Sequence, residues 1–226
     1  MDDLQTLTEA AWGDDLRAEV DRVFVRTGAD TPGWPDPHPD RSPLDEEYSR
    51  VTDVGKYRIL DARVDAWVEV LAERGVATAT DVPAEPWVGG LRPASDHLRV
   101  RRLTPSAPGG LSFLIATTLV GGEPFGLDVG MTDGDQDPVL LAMVPDCGCD
   151  ACDSGSADLL VELDEWILTV ARGGVVHARR GSDTATRTWA GWALGNDADV
   201  SWLDDAAPAD SRVVRWRGTA WGEPIG

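Results

Sequence analysis

The chain has 226 residues, a formal net charge of −20 and a hydrophobic fraction of 42%. This length is sufficient for a hydrophobic core without disulfide staples, and the composition is that of a globular protein rather than a disordered one. The acidic excess repels phosphate backbones and anionic lipid headgroups, so it argues against nucleic-acid and membrane binding. It favours a basic protein partner, although a solvated acidic surface without a partner has the same composition. The sequence predicts no oligomeric state.

The N-terminus gives an expectation about the compartment. Met1-Asp2-Asp3 lacks the basic residues and the apolar stretch of a signal peptide. The longest apolar run falls far short of the roughly 20 residues that span a bilayer. We therefore expect a cytoplasmic protein. In a reducing compartment its cysteines are more often thiols or metal ligands than a disulfide framework.

Helical patterns predominate at the start of the chain. Apolar residues at helical spacing predict three helices, over residues 3–26, 42–51 and 57–71. Ser42-Pro43 is a start signal for the second helix, with the hydroxyl as N-cap and proline at the first helical position. Gly75 is a stop signal for the third.

The later part of the chain reads as strands. The proline- and glycine-rich stretch 76–94 is predicted to be an irregular linker. Apolar and β-branched runs then predict strands over residues 97–103, 111–120, 125–131, 139–144, 174–180, 187–194 and 213–216. Gly121-Gly122 and Gly181-Ser182 are hairpin signals.

Together these elements predict a single α+β domain over residues 1–226. N-terminal helices (1–75) are followed by a mostly antiparallel sheet (95–226) with one covering helix at about 157–172.

Three cysteines form the chemically most distinctive motif. Cys147, Cys149 and Cys152 lie in a glycine-containing loop between a predicted strand and a predicted helix. Thiolate sulfur suits zinc, and a tight loop can bring several thiols around one ion. A structural zinc site has four ligands, so we predict that His177, on the strand after the helix, completes the set. The alternatives for the fourth ligand are His97, His38 and Asp153.

Two other interpretations of the cysteines stay open. The thiols are free and packed, or a pair such as Cys149 and Cys152 forms a redox pair or a disulfide. The flanking acids Asp146, Asp150 and Asp153 disfavour the reactive thiolate, which argues against redox use. The helix N-terminus that follows acts weakly in the opposite direction.

Other patterns are less specific. The sequence contains no phosphate-binding loop, dinucleotide fingerprint, nucleophile elbow or zinc-protease helix. Glu162 and Glu165 share a helix face at i, i+3, which fits a cation site or an acid–base pair as well as a solvated surface.

The segment Val-Pro-Asp-Cys-Gly-Cys-Asp-Ala-Cys-Asp-Ser-Gly-Ser, residues 144–156, extends the cysteine motif. With the acidic helix Glu162–Trp166 and the strand Gly173–His177, it resembles a bacterial family of unknown function from high-GC Gram-positive genomes. The resemblance implies an intracellular, uncharacterised protein marked by the cysteine block. It implies no activity.

Three functions are compatible with these observations. The first is a non-enzymatic, acidic interaction domain with a structural metal, for which zinc is the candidate. The second is a small enzyme that uses an open metal site or a reactive thiol in the cysteine loop. The third is an immunity-like protein that neutralises a basic partner. We favour the first, because no catalytic set accompanies the cysteines.

Overall fold

The computed structural model describes residues 2–134, 136–188, 191–192 and 213–222. Its helices are α1 (Asp2–Thr27), α2 (Arg58–Glu73) and α3 (Ser156–Ala171). Its strands are β1 (Ala77–Val82), β2 (His97–Pro105), β3 (Ser112–Val120), β4 (Glu123–Thr132), β5 (Val139–Val144), β6 (Val175–Arg180), β7 (Asp183–Thr188), β8 (Gly191–Trp192) and β9 (Val213–Arg217).

The strands form two sheets. Strands β1 to β5 pair in chain order, and the second sheet has the order β8-β7-β6-β9. All pairs between these strands are antiparallel. The α+β prediction, with helices first and an antiparallel sheet after them, is confirmed. The strands divide between two sheets instead of forming the one predicted sheet.

The three long helices lie where apolar spacing predicts them, but the short one differs. Residues 42–51 contain only a 3-10 segment, Asp45–Ser49, whose N-cap is Leu44 rather than Ser42. The Glu47 carboxylate accepts the Leu44 N–H at 2.6 Å and the Arg41 guanidinium at 2.9 Å. These contacts fix the chain there in place of a continued helix. Within the described ranges, no helix has both the length and the apolar character needed to cross a bilayer.

The stretch predicted as an irregular linker contains the edge strand β1. This strand pairs with β2 from Ala77, opposite Pro105, to Val82, opposite Val100. Only its first residue is buried. A short, half-exposed edge strand lacks the apolar run that marks a central strand, which is why the prediction missed it.

The hairpin predicted around Gly181-Ser182 is confirmed, since β6 and β7 pair across it. Its second strand begins earlier than the predicted 187–194, because β7 spans Asp183–Thr188. Residues 189–190 and 193–194 of that prediction lie outside the described residues.

The main core lies between the helices and one face of the five-stranded sheet. Trp67 of α2, Ile167 of α3 and Phe113 of β3 are fully buried in it. On the opposite face, Trp87 packs against Leu114 of β3. Strand β3 is therefore covered on both faces, which explains its continuous apolar run.

A buried carboxylate joins the helices. Asp164 of α3 accepts Arg63 Nε at 3.0 Å and Trp67 Nε1 at 2.6 Å, both from α2. The Arg63 and Asp164 side chains are only 4% and 2% exposed. Arg63 also pairs with Asp21 of α1 at 2.8 Å. The network therefore connects all three helices.

Replacing Asp164 with alanine tests how much this network contributes to the stability of the fold. The substitution leaves the Arg63 charge buried without its main partner, so we expect the free energy of unfolding to fall by about 3–5 kcal/mol. Urea denaturation measures the change. The control is Glu165→Ala, whose 51% exposed carboxylate pairs with Arg17 and whose loss should cost less than about 1 kcal/mol. Equal losses in the two variants would contradict the assignment.

Candidate metal centre

The cysteine loop, residues 145–155, connects β5 to α3. It contains a short 3-10 turn, Asp150–Cys152. Gly155, immediately before α3, has a φ of 91°, and a Cβ there would lie 2.7 Å from the Asp36 backbone nitrogen. Only glycine fits this left-handed position against the neighbouring backbone. The loop is thus packed tightly on the segment between α1 and α2, residues 28–57, which we call the N-terminal segment.

The loop brings the three cysteines together. The Sγ atoms of Cys147 and Cys149 are 3.3 Å apart, and those of all three cysteines, including Cys152, lie within 4.8 Å of one another. All three are free thiols, and 3.3 Å is far longer than the roughly 2.05 Å of a disulfide bond. Zinc–sulfur bonds of about 2.3 Å in a tetrahedron place sulfurs about 3.8 Å apart. The three thiols therefore fit one metal ion.

Gly148 lets the Cys-Gly-Cys turn lie directly against Phe125. A Cβ at this position would lie 1.8 Å from Cζ of Phe125. The Phe125 ring in turn contacts Tyr57 edge-on, with centroids 4.9 Å apart. The Cys-Gly-Cys turn therefore rests directly on an aromatic wall.

Asp150 attaches the loop to the segment before α2. Its Oδ2 accepts Arg50 Nε at 2.6 Å, and its Oδ1 accepts the Thr52 backbone N–H at 2.8 Å. The Asp150 N–H donates to the Arg50 carbonyl at 2.7 Å. Burial raises the pKa of Asp150, but the hydrogen bonds from Arg50 and Thr52 outweigh it and lower the pKa to about 2.

Asp153, an alternative fourth ligand in the sequence prediction, is a second attachment point. Its carboxylate accepts Trp34 Nε1 at 2.9 Å, Lys56 Nζ at 2.5 Å and the Gly155 N–H at 2.9 Å. The side chain is 4% exposed. Burial alone raises its pKa, but these donors outweigh burial and lower it. The carboxylate is thus engaged in binding the loop to the N-terminal segment.

The structure does not place His177 with the cysteines. Its Nδ1 lies 2.8 Å from Thr186 Oγ1, and its ring contacts Trp216 edge-on, with centroids 5.1 Å apart. Both neighbours are its cross-strand partners in the second sheet. Closeness along the chain suggested this ligand, but the strand pairing turns the ring elsewhere.

The other two histidines lie next to carboxylates. His97 Nε2 lies 3.0 Å from Asp128, and His38 Nε2 lies 3.3 Å from Glu47. In the described part of the chain, the cysteines alone form a group of three or more side chains close enough to share a metal ion.

Cys149 and Cys152 differ in acidity. Burial raises the pKa of Cys149, but hydrogen bonds from the Cys147 and Cys152 thiols and from the backbone N–H groups of Ala151 and Cys152 outweigh it and lower the pKa. Donation to Cys149 and Cys147, together with burial, raises the pKa of Cys152 to about 12. The cluster thus favours a thiolate at Cys149 over one at Cys152. Metal binding must then displace the remaining thiol protons.

The anchoring partners were missed in the sequence. From the sequence, the loop aspartates are predicted only to repel the thiolates, with Asp153 as an alternative ligand. Arg50 lies 100 residues from Asp150 along the chain, and Trp34 lies 119 from Asp153. No local pattern predicts such pairings. The one weak indication in the sequence is that Lys56, which pairs with Asp153, is the only lysine of the chain.

Gly148→Ala tests the packing of the Cys-Gly-Cys turn. The added methyl group would collide with Phe125, so we expect the free energy of unfolding to fall by about 1–3 kcal/mol. Urea denaturation provides the measurement. Gly55→Ala is the matched control, because the nearest atom to its Cβ, in Asp53, lies 3.4 Å away. If both substitutions cost the same, the Phe125 contact does not determine the turn.

His177 predicts a pH dependence of stability. Burial, and secondarily Arg179, lowers the pKa of His177 to about 4, compared with about 6.5 in an unfolded chain. Between these values the unfolded chain binds a proton that the folded chain does not, so stability falls as the pH drops through this window. Relative to His177→Gln, the wild type should lose about 2 kcal/mol between pH 7 and pH 5, measured by urea denaturation. Parallel pH profiles would contradict the burial of a neutral imidazole.

Comparison with protein-family models matches residues 20–222 to one described as a family of unknown function, DUF6226. No curated protein and no solved structure matches the chain. The match includes the cysteine loop and the nine strands of the described residues. The chain therefore belongs to the family of unknown function DUF6226.

Proposed function

We propose that this protein is a non-enzymatic, acidic interaction domain in which one zinc ion fixes the junction between β5 and α3. Cys147, Cys149 and Cys152 would hold the ion. The observation that carries the proposal is the grouping of their Sγ atoms within 4.8 Å of one another. Thiolate donors select zinc and other soft metals over magnesium or calcium.

The surrounding contacts support a structural role. Asp150 and Asp153 already attach the loop to residues near Arg50 and Lys56. An ion held by cysteines before and after Asp150 in the chain would keep the 3-10 turn from unwinding. Because an unfolded loop does not present the same set of ligands, the free energy of metal binding adds to the free energy of folding.

The proposed coordination shell is completed by solvent. Cys149 is 8% exposed, whereas Cys147 and Cys152 are exposed. Three thiolates leave one tetrahedral position, and a water molecule on the exposed side of the loop would fill it.

The net charge of −20 supports the interaction part of the proposal. A surface of this sign attracts a basic protein partner and accelerates its association. Such binding would weaken with increasing salt, because counterions screen exposed charges.

A small enzyme with an open zinc site is the second candidate. The exposure of Cys147 and Cys152 favours it, because catalytic zinc sites combine three protein ligands with a water molecule. The two roles differ in what metal removal does. Losing a structural ion destabilises the fold, whereas losing a catalytic ion changes stability little.

Metal analysis tests the proposal. Protein purified without chelator should contain about one zinc ion per chain by mass spectrometry, because the thiols form one site. Cys149→Ser should lose the metal, whereas Ser154→Ala, an exposed change in the same loop, should keep it.

Chelator separates the two candidate roles. We expect chelation to lower the thermal unfolding midpoint of the wild type. Wild-type protein without stoichiometric metal would overturn the proposal. Metal loss that leaves the midpoint unchanged would favour the enzyme instead.

A further inference from the structure

A second candidate site lies beside α3. A cavity of about 600 Å³, partly open to solvent, is lined by β5, α3, the β6–β7 hairpin and residues 88–91. Leu91, Met143 and Trp166 contribute to its apolar wall, and Thr184, Thr186 and Thr188 of β7 add hydroxyl groups. A largely apolar cavity of this size with a few polar groups is typical of a small-molecule site.

Two carboxylates without a counter-ion line this cavity. Burial raises the pKa of Glu162, and the neighbouring Asp146 raises it further. Neither carboxylate forms an ion pair or a hydrogen bond with the described residues. Arg212 is the only basic residue outside the described ranges. By contrast, Glu165, on the next turn of α3, pairs with Arg17.

His177 supplies an independent indication of a ligand. Its ring lines the cavity and the residue is only 4% exposed. Nδ1 is engaged by Thr186, whereas the buried Nε2 has no hydrogen-bond partner among the described residues. A buried polar atom without a partner costs free energy, which a ligand group at hydrogen-bond distance would recover.

We propose that this cavity binds a small organic cation, an amine on an apolar body. The ammonium group would be held by Glu162 and Asp146 and pack against the Trp166 ring. The apolar body would fill the space between Leu91 and Met143. The inference does not depend on the zinc site, although Asp146 directly precedes Cys147.

The geometry favours an organic cation over a metal ion. Glu162, Asp146 and His177 line one cavity, but in the described chain they do not form a group of ligand atoms close enough to share an ion. The apolar wall also offers nothing to a hydrated metal. An anionic ligand would be repelled by the two carboxylates.

Binding of 2-phenylethylamine to the full chain, titrated by NMR against its neutral counterpart 2-phenylethanol, tests the proposal. We expect the amine to bind about tenfold more tightly than the alcohol. Glu162→Gln should weaken amine binding by a similar factor and leave alcohol binding unchanged. Glu123→Gln, an exposed substitution at the β3–β4 turn, is the matched control and should change neither.

Three results would overturn the proposal. They are equal affinities for amine and alcohol, no saturable amine binding, and equal effects of Glu162→Gln and Glu123→Gln. Cys149→Ser separates this site from the zinc site, because it should keep amine binding. Loss of binding in that variant would place the amine on the metal and refute the cavity site.

Discussion

The carboxylate of Asp153 holds the cysteine loop against the N-terminal segment. It is 4% exposed and accepts hydrogen bonds from Trp34, Lys56 and Gly155. A carboxylate this deeply buried requires such donors, so the loop cannot move away without leaving a buried charge unpaired. Asp150, three residues earlier, makes a second attachment through Arg50. Cys152 lies between these two points and Cys147 and Cys149 lie directly before them. The thiols are therefore positioned without a metal, which would reduce the cost of binding one.

Helix α3 connects this loop to the rest of the molecule. Three of its carboxylates occupy different environments. Asp164 is buried and forms an ion pair with Arg63. Glu165 is exposed and forms an ion pair with Arg17, and Glu162 lines the cavity beside Asp146. The Asp164 carboxylate joins the helices, whereas the Glu165 ion pair adds little stability because it is exposed. Among the described residues no cation pairs with Glu162, which distinguishes this candidate ligand-binding group from the two structural ones.

Much of the fold could be predicted from the sequence because its long elements have strong patterns. The apolar spacing in α2 and the Gly121-Gly122 hairpin are local signals, and both are confirmed. The edge strand β1 was missed because solvent on one side leaves no apolar run. The division into two sheets could not be predicted, since strand pairing depends on contacts distant along the chain.

The candidate site could likewise be predicted only in part. The cysteines could be identified because three thiols fall within one loop, and the structure brings them together. The role of His177 could not be predicted from the sequence, because cross-strand contacts with Thr186 and Trp216 orient its ring. The anchoring function of Asp150 and Asp153 likewise depends on partners about 100 residues away.

X-ray absorption spectroscopy at the zinc edge tests the central claim most directly. The account predicts three sulfur neighbours at about 2.3 Å and one oxygen at about 2.0–2.2 Å. That pattern would place the ion on Cys147, Cys149 and Cys152 with water in the remaining position. A first shell of nitrogen and oxygen atoms with no sulfur would contradict it.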